Sequence, residues 1–122
     1  MFSIFKRKTK QVNPFEQGWL TDLIDIHCHL LPAVDDGSKS IEETLSLIDL
    51  LEEIGVKQHI LTPHIMEEYP SNDAIFLRAR FEELLAAITP DKASRLRLAA
   101  EYMLDAAFLD RLAEPLLTPS GA

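Results

Sequence analysis

The sequence predicts an α/β fold with parallel strands. Three observations carry this expectation. Short β-forming runs alternate with segments of helical periodicity. The order reads βαβαβα from residue 21 onward, which requires parallel strands joined by crossovers. The length of 122 residues allows one domain with an ordinary core, and 47% hydrophobic with 26% charged residues is a globular balance.

The first ten residues carry Lys6, Arg7, Lys8 and Lys10 behind two phenylalanines, and residues 11–20 mix turn formers with isolated aromatics. Residues 1–20 are therefore read as a basic tail and lead-in, and residues 21–122 as the domain. The apolar residues precede the charges, the reverse of a secretory signal, although such a tail could touch an anionic membrane surface weakly. No apolar run reaches the ~18 residues of a membrane span.

The run Leu23 to Leu30 alternates with period two and predicts the first strand. Pro32, Asp35, Asp36 and Gly37 make the following segment a loop. Ser40 with Glu43 forms a capping box, after which Ile41, Leu45, Ile48 and Leu51 recur at helical spacing until Gly55. Val56 to Thr62 predicts a second strand, stopped by Pro63. Ser71 and Asn72 are the candidate caps of a second helix, with its stripe on Leu77, Phe81, Leu84, Leu85 and Ile88 and its end at Pro90. Arg95 to Glu101 predicts a third strand, and Asp105 to Leu112 a short third helix.

Net charge is −8, from 12 basic and 20 acidic residues. Beyond the basic tail the balance is 8 basic against 20 acidic. A body this acidic repels phosphate backbones, so nucleic acid is not an expected partner. One cysteine, Cys28, excludes a disulfide framework and Cys-rich zinc modules and points to a reducing, cytoplasmic setting. No glycine-rich nucleotide motif is present.

In parallel α/β folds, functional groups gather at the carboxyl ends of strands. His27, His29, Asp36, His64 and Glu101 occupy those positions. Alternate residues on a strand share a face, so His27 and His29 can address one ion, with Cys28 turned away and Asp25 one step deeper as an orienting carboxylate. A His-x-His pair alone is also what a polar strand end offers, and Asp35-Asp36-Gly37 alone is a good turn. The convergence of three strand ends on metal-capable groups is what favours a metal centre. A nitrogen and oxygen ligand set suits manganese, iron or zinc better than calcium. His59 lies early in its strand and reads as structural. Cys28 lacks the arginine of a Cys-x5-Arg phosphatase loop, since Val34 stands there. Arg78 and Arg80 read as a solvated helix face.

The stretch from Asp25 through His27-Cys28-His29 to Asp35-Asp36-Gly37-Ser38, with Thr62-Pro63-His64-Ile65 and Ala100-Glu101-Tyr102, closely resembles the bacterial metal-dependent tyrosine phosphatases of the polymerase-and-histidinol-phosphatase (PHP) superfamily. These are capsular and exopolysaccharide regulators that act on bacterial tyrosine kinases. Ile65-Met66-Glu67-Glu68-Tyr69-Pro70 is similar to this branch in particular. The resemblance implies a distorted (β/α)7 barrel, of which this chain would supply the N-terminal βαβαβα half. It implies up to three ions, manganese first with iron, zinc or magnesium as alternatives. His27 and His29 would hold one ion, Glu101 would bridge it to a second, and Asp36 with His64 would serve a third. The chemistry implied is attack on a protein phosphotyrosine by a metal-activated hydroxide, without a cysteine nucleophile. The alternatives are a histidinol-phosphate type of phosphoesterase and a non-catalytic remnant. With five ligand groups for three ions, weak or absent turnover of the isolated chain is expected, and an unpaired sheet edge with uncovered apolar helix stripes predicts that it associates or is partly disordered.

Overall fold

The computed structural model describes residues 11–119. The basic tail, with its possible membrane contact, lies outside the described residues. The chain runs β1 (Ile24–Cys28), α1 (Ile41–Glu53), β2 (Gln58–Leu61), β3 (His64–Ile65), α2 (Ala74–Ala86), α3 (Pro90–Ala93), β4 (Leu96–Leu98), β5 (Glu101–Tyr102) and α4 (Phe108–Arg111). The fold is α/β and every strand pairing is parallel.

The strands form two small sheets instead of one. β1, β2 and β4 pair in that order, and β3 pairs with β5. The break has a chemical cause in Pro63, which has no N–H to continue a ladder. Its carbonyl accepts instead from the Glu101 amide at 3.0 Å, while the Leu61 carbonyl accepts from Ala99 at 2.8 Å. The expected third strand is thereby divided at Ala99-Ala100, and Glu101 falls into the second sheet, in register with His64. This division is what brings two of the candidate ligands side by side.

Helix α1 begins as its capping box predicts. The Ser40 hydroxyl accepts from the Glu43 amide at 3.1 Å, and the Glu43 carboxylate reaches back to the Lys39 amide at 2.6 Å, one residue earlier than the usual partner. Gly55 follows the helix with φ +102°, a conformation that glycine adopts without penalty. Thr44 and Ile48 are its buried positions. Leu50 faces solvent despite its place in the apolar pattern.

Helix α2 is capped by Asp73, whose carboxylate accepts from the Phe76 amide at 2.8 Å, and not by Ser71 or Asn72. Asn72 is buried and its Nδ2 donates to the carbonyls of Val34 at 3.0 Å and His64 at 2.8 Å. It ties the loop after β1 to β3. Pro90 does not simply end α2. It opens α3 at the first helical position, where a missing N–H costs nothing, with Thr89 as the cap. The last expected helix is reduced to the single turn of α4.

The core joins Leu30, Leu31 and Val34 of the loop after β1 to Ile48 of α1, Leu61 of β2, Ile65 of β3, Leu77 and Leu84 of α2, and Leu96 and Leu98 of β4. Leu117 closes it from the C-terminal side. Among the described residues β1 and β4 each pair on one side only, and Ile24 and Ile26 on β1 remain exposed. No helix among the described residues is long and apolar enough to cross a membrane.

Candidate metal centre

The parallel register delivers the site. β1 ends at Cys28 with His27 within it and His29 just beyond, while β3 and β5 bring His64 and Glu101 opposite each other. The Glu101 Oε2 atom is the point of convergence. It lies 3.2 Å from His27 Nε2, 3.3 Å from His29 Nε2 and 3.3 Å from His64 Nδ1. His64 Nε2 in turn lies 3.3 Å from an Asp36 carboxylate oxygen. All five sequence-predicted ligand residues therefore stand in one cluster.

Two groups of potential ligands overlap at His29. One comprises His27, His29 and Glu101, and the other His29, Asp35, Asp36 and His64, each with ligand atoms within 4.8 Å of one another. The rings are also stacked. His29 and His64 have centroids 4.5 Å apart, and Tyr69 lies nearly parallel to His64 at 5.8 Å and 6°. This column limits rotation of the imidazoles between their neighbours.

Glu101 Oε2 is buried and, despite three imidazole nitrogens around it, has no hydrogen-bond partner. A buried acceptor left unpaired costs about 1–3 kcal/mol, and more when it is charged. A cation among these lone pairs removes that cost. Ligand atoms bound to one ion at about 2.0–2.2 Å stand about 3.0–3.5 Å apart, the range of the separations here. The donor set fits a divalent ion.

Asp35 is the residue that the sequence reading leaves in a turn and the structure places at the centre. Its carboxylate side chain is 1% exposed. It accepts from His29 Nδ1 at 3.1 Å, the Gly37 amide at 3.0 Å and the His64 amide at 3.0 Å. Burial alone would raise its carboxyl, but the two amides and the His29 ring outweigh burial and hold it below the usual carboxylate range. A carboxylate accepting at Nδ1 places the His29 proton there and leaves the Nε2 lone pair facing Glu101. The available sequence signal was the adjacent aspartate pair between Pro32 and Gly37.

Gly37 is required by close approach. A Cβ there would lie 2.2 Å from the His29 carbonyl oxygen and 2.5 Å from the His29 Cβ. The loop thus presses directly against the backbone of a candidate ligand.

Asp25 does not stand behind the His27 or His29 ring. Asp25 pairs with His59 and Cys28 with Leu61, so three steps on β1 match two on β2. This bulge breaks the alternation and puts the Asp25 carboxylate beside His59, 3.6 Å from Nδ1. It also accepts from the His27 amide at 3.2 Å. Cys28 donates to the Ile60 carbonyl at 3.4 Å, and burial, followed by the charge of Asp25, pushes its thiol up to about 12. A thiol in that state is a poor nucleophile at neutral pH. Arg80 lies on an exposed face, paired with Glu83 at 2.9 Å.

A Staphylococcus aureus protein named "Putative tyrosine-protein phosphatase CapC" is 37% identical over 62 residues, 51% of this chain and 24% of its own length. The tyrosine-protein phosphatase YwqE of Bacillus subtilis (strain 168) is 32% identical over 62 residues, with the same shares covered. The chain matches about a quarter of the length of these relatives. No solved structure matches the chain. The sequence profile of the family described as "Capsular polysaccharide synthesis, CpsB/CapC" matches residues 23–118, a span that includes all five candidate ligands. The chain belongs to the CpsB/CapC family.

Proposed function

We propose that this chain carries the metal-binding part of a phosphotyrosine-protein phosphatase, a metal-dependent phosphomonoester hydrolase of the PHP type. The observation that carries the reading is the buried, unpaired Glu101 Oε2 ringed by His27, His29 and His64. The names of the two relatives supply the substrate class. The partner in this reading is a phosphotyrosine-bearing protein, a bacterial tyrosine kinase of capsule or exopolysaccharide synthesis. The βαβαβα unit would form one portion of a distorted (β/α)7 barrel.

His27 and His29 would hold one ion, Glu101 would be shared between it and a second, and Asp36 with His64 would hold a third. Manganese is the first choice, with iron, zinc or magnesium as alternatives. Bound divalent ions would supply Lewis acidity toward a phosphoryl oxygen and bring the pKa of water toward neutrality. The protein's own contribution is positioning. Asp35 holds the proton on His29 Nδ1 and, through the His64 amide, the start of β3. Asn72 fixes the His64 carbonyl from the other side. The Tyr69–His64–His29 column holds the rings in place.

The test is manganese binding by calorimetry beside hydrolysis of a phosphotyrosine peptide. His27→Ala and Glu101→Gln should each remove most of the binding, and, in a version extended to the full length of the relatives, hydrolysis should stop on chelation while surviving Cys28→Ser. Hydrolysis that persists after exhaustive chelation and disappears with Cys28→Ser would overturn the proposal.

A further inference from the structure

Between β1 and β2 lies a third group of potential ligands, Asp25, Cys28 and His59, with ligand atoms all within 4.8 Å of one another. The bulge creates it. Without the extra residue, positions 25 and 28 would point to opposite faces of the strand, because their spacing is odd. With it, Cys28 takes the register of Leu61, two residues after His59, and so shares a face with both His59 and Asp25. Bulges re-aim side chains in this way.

The second observation is the state of His59. Its side chain is 0% exposed, and neither ring nitrogen has a hydrogen-bond partner. An imidazole buried this way leaves two polar atoms unsatisfied, and packing alone would be served better by leucine or isoleucine at the same position. Its Nδ1 is directed to the Asp25 carboxylate but stands at 3.6 Å, beyond hydrogen-bond range. A carboxylate oxygen, a thiol sulfur and an unpartnered imidazole within 4.8 Å of one another have the spacing of ligands to a shared cation.

We propose that Asp25, Cys28 and His59 form a separate site for a borderline-soft divalent cation of the zinc class, distinct from the Glu101 centre. The sulfur decides the class. Thiolate and imidazole together select zinc over manganese or magnesium, which prefer all-oxygen or oxygen-rich shells. Three protein ligands leave a fourth position for water, and Asp25, with 26% of its side chain exposed, is open to solvent. Binding releases one proton, because the Cys28 thiol is protonated at neutral pH and must become a thiolate to coordinate. The site would pin β1 to β2 behind the strand end that carries His27 and His29. It does not depend on phosphatase activity.

Cobalt(II) is the probe, since a thiolate bound to it gives a near-ultraviolet charge-transfer band that carboxylate and imidazole ligands do not. The 122-residue chain titrated with cobalt(II) should develop this band at one equivalent, and zinc should then bleach it. Cys28→Ser should abolish the band. His59→Leu, which fills the buried position with apolar volume, and Asp25→Asn, which leaves β2 untouched, should each weaken or remove it. Glu101→Gln should lose manganese binding and keep the sulfur band, so the two sites fail separately. Absence of the band in the unaltered chain, or its persistence at full strength in both His59→Leu and Asp25→Asn, would overturn the proposal.

Discussion

Replacing Asp35 with alanine removes one buried carboxylate that serves three donors, and the cost can be worked from the structure. The lost partners are the Gly37 amide at 3.0 Å, the His64 amide at 3.0 Å and the His29 ring at 3.1 Å. Hydrogen bonds to a charged group contribute about 1.5–3 kcal/mol each. They are not additive around one carboxylate, and some relief comes from no longer burying the charge. A net loss of about 3–5 kcal/mol is expected. For a chain of this size that corresponds to a fall in Tm of roughly 10–20 °C. The neighbouring Asp36 provides the internal control. Its side chain is 69% exposed, so Asp36→Ala should change stability by less than about 0.5 kcal/mol. Thermal melts followed by circular dichroism in the presence of chelator measure both variants free of metal. Equal Tm values for the two alanine variants would refute the assignment of Asp35 as the organiser of the loop. The same carboxylate sets a pH signature. Its folded pKa is depressed, so its stabilisation is complete above about pH 4 and is lost as pH falls through the folded value.

Gly37→Ala should destabilise by about 2–4 kcal/mol and weaken manganese binding, because the new Cβ would meet the His29 backbone at 2.2 Å; chemical denaturation and calorimetry report the two effects. Asn72→Ala should cost about 2–3 kcal/mol through the loss of its bonds to the Val34 and His64 carbonyls, and Asn72→Asp should be at least as damaging, since a carboxylate cannot donate; urea midpoints compare them. His59 is held below the ordinary histidine range, chiefly by burial and against the opposing pull of Asp25 and Glu52. The unfolded chain therefore takes up a proton that folded His59 does not, so metal-free stability should fall as pH drops below about 6.5, and His59→Leu should flatten that part of the profile in pH-dependent melts.

The sequence by itself determined the α/β class, the parallel strands, the start of α1 and the identity of the five groups, His27, His29, Asp36, His64 and Glu101, that the fold gathers into one cluster. Each of these rests on a local rule: alternation, helical spacing, a capping box, or the tendency of strand ends to carry function. Tertiary structure alone decided which carboxylate orients His29. Asp25 is the choice if strand alternation holds, but a one-residue bulge turns it toward His59, and Asp35 takes the place by folding back from the loop. A bulge depends on the pairing of two strands and leaves no mark in the periodicity of one. Tertiary structure also moved Asn72 from a helix cap to a buried clip between two distant carbonyls. It divided the third strand so that Glu101 faces His64 instead of ending the first sheet. In each case the deciding partner lies far along the chain: 29 residues separate Asp35 from the His64 amide and 38 separate Asn72 from the Val34 carbonyl. Local pattern fixes what a segment can form, whereas buried polar groups take whichever partner the packed chain brings within reach.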